Sequence, residues 1–131
     1  MIHVLIVEEH KLVRQALETR LRVAEDLEIL PSVGDYTHAV RQAQALRPDI
    51  ILLETKTNVG LETLSALRAS APWAKVIILT SYPDSREEEE ALKLGASAYL
   101  LKTLDTKALV NQIESSAHAL ANREFLWRFM L

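Results

Sequence analysis

No cysteine occurs among the 131 residues, which excludes a disulfide framework, a thiolate metal centre and a cysteine nucleophile. Glycine and proline are scarce, at three and four, and no serine-rich or charged linker interrupts the chain, so nothing marks a domain boundary before about residue 120. An excess of positive charge is lacking too. With 15 Lys and Arg against 18 Asp and Glu, the net charge of -3 gives no attraction to nucleic acid or to an anionic membrane. No apolar run approaches a bilayer span, and Met1-Ile2-His3 lacks the basic, apolar and small-residue series of a signal peptide. A cytoplasmic chain without a membrane partner is therefore expected. What remains is 49% apolar and 25% charged, the balance of a chain that folds around one core.

Five short apolar runs stand out: Val4-Leu5-Ile6-Val7, Ile29-Leu30, Ile50-Ile51-Leu52-Leu53, Val76-Ile77-Ile78-Leu79 and Ala98-Tyr99-Leu100-Leu101. The first, third and fourth are continuous rather than alternating, as in parallel strands buried on both faces. Between them, helical spacing joins Val13, Leu17, Leu21 and Ala24, then Ala39, Val40 and Ala43, then Leu61, Leu64 and Leu67, then Ala91 and Leu94, and finally Leu109, Ile113, Ala117 and Leu120. Pro48, Pro72 and Gly95 supply helix stops, and Asp105 supplies an N-cap. Strict strand–helix alternation predicts a doubly wound α/β domain with a parallel sheet.

Ligands of such sheets bind beyond the carboxyl ends of the strands, where the strand order reverses. The residues there are Glu8 and Glu9 after the first run, Glu54 after the third, Thr80 and Ser81 after the fourth, and Lys102 after the fifth. With strand order 2-1-3-4-5 they share one edge. Three carboxylates so placed repel, and a bound cation, Lys102 or a proton on one of them relieves the repulsion. A single polar residue ending a strand carries no functional meaning; the whole set, each at its strand end, does.

The stretches Val4-Leu-Ile-Val-Glu-Glu-His10, Arg47-Pro-Asp-Ile-Ile-Leu-Leu-Glu54, Ile78-Leu-Thr-Ser-Tyr82 and Gly95-Ala-Ser-Ala-Tyr-Leu-Leu-Lys102 resemble the receiver domain of bacterial two-component response regulators, most closely the LuxR/NarL class. The resemblance covers residues 2 to about 118. It implies a (βα)5 flavodoxin-like fold with a five-stranded parallel sheet. It further implies Mg²⁺ at the acidic pair Glu8 and Glu9, a phosphoacceptor-equivalent at Glu54, a phosphate pocket at Thr80 and Lys102, and a switch aromatic at Tyr99 that turns inward on activation.

The departures from the family pattern bear on function. The acceptor is Glu54 where the family has Asp, and the second acidic residue is Glu9 where Asp is usual. Glu54-Thr-Lys-Thr-Asn-Val-Gly60 has no Met-Pro and is about two residues short of the usual loop. Phosphoryl transfer depends on position and charge neutralisation, so one extra methylene takes the attacking oxygen out of line. The same reach brings the carboxylate of Glu54 toward Lys102 and Thr80. Glu54 then either imitates part of the phosphorylated state or marks its loss.

The expectation is thus a pseudo-receiver, not an enzyme and without resident cofactor, acting through protein contacts with a signalling protein or histidine kinase. Its rival is a Mg²⁺-dependent phosphoacceptor with weak phosphotransfer. A flavin carrier is disfavoured, because the first run leads into Glu8-Glu9 rather than a Ser/Thr/Gly phosphate cradle. The run Arg86-Glu-Glu-Glu-Glu90 reads as a solvated helix start or as a partner contact. His3, His10, His38 and His118 lack metal-ligand spacing. Residues 1–120 are read as the receiver-like domain and 121–131 as an apolar tail, either a truncated linker or an interface, with a homodimer expected. Phe125, Trp127 and Phe129 are three of the seven aromatics. Only Arg123 and Arg128 are basic after Lys107, so direct nucleic-acid binding is not expected.

Overall fold

The structure is a computed structural model describing the backbone of residues 1–55 and 58–130, with the side chains of 58, 59 and 120–130 outside the described set. Strand and helix alternate as β1 (Ile2–Val7), α1 (Lys11–Leu21), β2 (Leu27–Ile29), α2 (Tyr36–Leu46), β3 (Ile50–Glu54), α3 (Asn58–Ser70), β4 (Lys75–Thr80), α4 (Ser85–Lys93), β5 (Ala98–Leu101) and α5 (Thr106–Met130). The sheet has five parallel strands in the order β2-β1-β3-β4-β5, as the alternation and the resemblance predict.

Alternate side chains of each central strand serve opposite faces, which explains why the runs are apolar throughout. Leu5, Val7, Ile51, Leu53, Val76 and Ile78 pack under α2, α3 and α4 with Ala39, Ala43, Leu64, Leu67 and Ala91. Val4, Ile6, Ile50, Leu52, Ile77 and Leu79 pack under α1 and α5 with Leu17, Leu21, Leu109 and Ile113. The central strand β3 is buried along its whole length. Truncating Leu52, 1% exposed, removes a side chain enclosed on every side and costs about 2–5 kcal/mol.

Helix ends follow local chemistry. The backbone amide of Ala108 donates to Asp105 Oδ1 at 2.8 Å, the expected cap of α5. Asp35 and Asp84 cap α2 and α4 by accepting from the amides of Thr37 and Arg86, both at 2.9 Å. Gly95 lies at φ +102, where its amide donates to Leu92 O and that of Ala96 to Ala91 O, a Schellman turn that closes α4. A Cβ on Gly95 would also approach Arg68 Nε to 2.9 Å.

Helix α5 passes residue 120 without a break, so the backbone of 121–130 continues that helix. The interface expected of Phe125–Leu131 concerns side chains outside the described residues. Among the described residues no helix is long and apolar enough to cross a membrane.

Candidate functional site

The strand order reverses between β1 and β3, and register brings the polar strand ends together there. Val7 pairs with Leu53, so Glu8 comes beside Glu54; Glu54 pairs with Leu79 and Thr80 with Leu101, which sets Thr80 and Lys102 along the same edge. Glu8, Glu54 and Thr80 are almost wholly buried, at 0%, 2% and 2% exposure. Lys102 Nζ reaches Glu8 Oε1 at 2.8 Å and Glu54 Oε1 at 3.4 Å, with only 10% of its side chain exposed. Two buried carboxylates thus share one buried ammonium, and without it they would be uncompensated charges in a low-dielectric setting.

Other groups close the site. The Tyr36 hydroxyl donates to the Glu54 backbone carbonyl at 2.9 Å and to Glu54 Oε2 at 3.2 Å. Burial, reinforced by the negative charges of Glu54, Glu8 and Glu9, raises the Tyr36 phenol far above its ordinary value and keeps it a donor. Arg14 Nη1 donates to the Glu8 carbonyl at 2.9 Å, and its guanidinium occupies the space that a Cβ on Gly34 would need. On the far side, Arg20 donates to Thr106 Oγ1 at 3.0 Å and to Leu104 O at 2.6 Å, fastening the loop that follows Lys102.

Of the residues singled out in the sequence, Glu8, Glu54 and Lys102 meet directly. Thr80 Oγ1 accepts the amide of Tyr82 at 3.1 Å. Tyr99 lies half-buried on β5, its hydroxyl donating to Glu87 Oε1 at 3.0 Å. Glu9 is exposed and makes no direct contact with the buried group, although its charge is felt at Tyr36. Lys56 and Thr57, in the shortened loop, lie outside the described residues.

Sequence reasoning missed Tyr36, Arg14 and Arg20. Arg20 left a signal, since it adjoins Leu17 and Leu21 on the buried stripe of α1. Tyr36 left none, because its role depends on where the first turn of α2 meets the end of β3.

A magnesium ion asks for about six oxygens in near-octahedral array. Among the described residues no three acidic or histidine side chains form a group able to hold a metal. Glu8 Oε2 is a buried oxygen without a hydrogen bond, but Glu9 faces solvent and Lys102 already lies between the two buried carboxylates. As they stand, the described residues place Lys102 where a cation would otherwise bridge the two buried carboxylates, and leave Glu8 Oε2 as the buried carboxylate oxygen that a partly hydrated Mg²⁺ would meet.

The fold and this edge define a receiver. The family pattern of the response regulator receiver domain matches residues 4–114, and the chain belongs to that family, a domain of two-component signalling. It is 33% identical over 115 residues to the transcriptional regulatory protein LnrK of Bacillus subtilis, covering 86% of this chain and 52% of that protein. To the response regulator protein VraR of Staphylococcus aureus it is 29% identical over 118 residues, covering 88% and 56%. The chain spans about half the length of the curated relatives it matches. A LuxR-family DNA-binding response regulator from Staphylococcus aureus superposes with a TM-score of 0.82 at 26% identity, covering 89% of this chain and 99% of that one. The signal receiver domain of NarL from Mycobacterium tuberculosis shares the fold with a TM-score of 0.83 at 21% identity, covering 89% and 96%.

Proposed function

We propose that this receiver is a pseudo-receiver, which works in the cytoplasm through protein contacts in signalling or transcriptional control and takes no phosphoryl group in the ordinary way. The observation that carries the reading is the position of Lys102, paired at 2.8 Å with Glu8 and at 3.4 Å with Glu54. Glu54 Oε2 accepts from Tyr36, so both carboxylate oxygens of the acceptor-equivalent are engaged. A nucleophile held from both sides and carried on a longer side chain is poorly placed for in-line attack. The charge arrangement also favours imitation over plain loss. Glu54 already brings a negative group to Lys102, the contact that an acceptor-bound phosphoryl group would otherwise make. The chain acts without catalysis or resident cofactor, with a signalling protein, a histidine kinase or a second copy as partner.

Incubation of the chain with Mg²⁺ and acetyl phosphate, followed by intact-mass measurement, tests this. No mass change is expected. A stable gain of one phosphoryl group on Glu54 overturns the reading in favour of a Mg²⁺-dependent phosphoacceptor, for which Glu8 Oε2, buried without a hydrogen bond, is the supporting observation.

A further inference from the structure

The acidic run at the start of α4 is not uniform. Arg86, Glu88, Glu89 and Glu90 are exposed, as a solvated face requires, whereas Glu87 is half-buried. Its Oε1 accepts two hydrogen bonds from distant parts of the chain, from Thr55 Oγ1 at 2.6 Å and from the Tyr99 hydroxyl at 3.0 Å. Thr55, 3% exposed, directly follows Glu54, and Tyr99 stands on the edge strand β5. The backbone amide of Asp84, whose carboxylate caps α4, donates to the Tyr99 oxygen at 3.2 Å.

We propose that Glu87 is a positioning residue, a latch that ties the end of β3 beside Glu54 to Tyr99 and fixes α4 against β5. Both bonds to its carboxylate are charge-assisted, which makes them stronger than neutral ones. Thr55 has little freedom to leave, because Gly60 packs so closely that a Cβ there would lie 2.7 Å from Thr55 Cγ2. Tyr99 is different. Its ring borders a cavity of about 200 Å³ shared with Pro83, Asp84, Ser85 and Glu88, so it has room to move, and its hydroxyl bonds hold it. The Tyr99 phenol is raised above its ordinary value by burial, with Asp84 and Thr80 opposing and the Glu87 carboxylate adding to the rise. The latch thereby fixes how α4 and β5 sit beside each other, the two elements that present Leu92 and Leu101 at 49% and 44% exposure. The inference rests on the protein-contact reading only for what the latch serves.

The test is NMR of the full chain with ¹³C-labelled tyrosine and no phosphodonor, so the outcome of the phosphorylation experiment leaves it unaffected. Thr55→Val is expected to move the Tyr99 ring resonances in the wild-type background and not in Glu87→Ala, whereas Thr55→Ser, which keeps the hydroxyl, leaves them in place. Glu87→Gln retains an acceptor oxygen and is expected to hold the ring near its wild-type position. Equal ring shifts on Thr55→Val in both backgrounds would overturn the latch, as would Glu87→Gln displacing the ring as far as Glu87→Ala. Should Glu87→Ala not fold, the serine and valine variants still decide, since equal displacement by both refutes a role for the hydroxyl.

Discussion

The guanidinium of Arg20 on α1 donates to the carbonyl oxygen of Leu104 at 2.6 Å, joining residues 84 positions apart. With its bond to Thr106 Oγ1 it gives the loop after Lys102 a fixed path. Hydrogen bonds from charged donors contribute about 1.5–3 kcal/mol. Arg20→Ala is expected to lower the stability measured by urea unfolding by about that amount, and Arg20→Lys to recover only part, since a lysine cannot reproduce the planar fork. Full recovery by lysine would mean that charge, not geometry, is what the loop requires.

Lys102→Met removes the ammonium that Glu8 and Glu54 share and leaves two buried carboxylates. Breaking a buried ion pair from one side costs about 3–5 kcal/mol. Adding Glu54→Gln to Lys102→Met removes one of the stranded charges, so the double variant is expected to be more stable than the single one. Urea midpoints of the three proteins check this, and a double variant no better than the single one contradicts it.

Alkaline pH should weaken the fold. Tyr36 and Tyr99 both have their phenols raised in the folded chain, chiefly by burial and then by Glu54 and Glu87 respectively. Above the unfolded phenol value of about 10, the unfolded chain loses these protons first, so stability is intact below that pH and falls as pH rises beyond it. Tyr36→Phe is expected to flatten the decline between pH 9 and 11, measured as thermal midpoint against pH, at the expense of a bond to Glu54 at neutral pH. An unchanged slope would place the alkaline sensitivity elsewhere.

Glu54→Asp withdraws the carboxylate by one methylene but leaves Lys102 on Glu8 and the altered acidic pair in place. The variant is therefore expected to gain little labelling from acetyl phosphate and Mg²⁺, read by intact mass. Efficient labelling would show that side-chain length alone disables the acceptor.

The fold was legible because its signals are local and repeated. Continuous runs such as Ile50–Leu53 state that a strand is covered twice, and Gly95 marks a turn that needs positive φ. Glu8, Glu54, Thr80 and Lys102 were legible as strand ends because parallel register collects whatever follows each run. That Glu54 would reach toward Lys102 was legible too, but the closer pairing of Lys102 with Glu8 was not, since that depends on how far its side chain extends between two carboxylates. Tyr36 and Thr55 act through the meeting of elements far apart in sequence, and no spacing encodes that. Glu87 was hidden differently, as one of four consecutive glutamates of which three face water.

An open parallel sheet exposes unpaired amides and carbonyls at its two margins, where a strand from another chain can add. Here the margins are the two shortest strands, β2 with three residues and β5 with four. So little backbone is on offer that growth by strand addition has almost no template. A copy or partner that met this domain would then do so through side chains and helices rather than backbone, and the short margins leave little purchase for the polymerisation to which an unfinished sheet is prone.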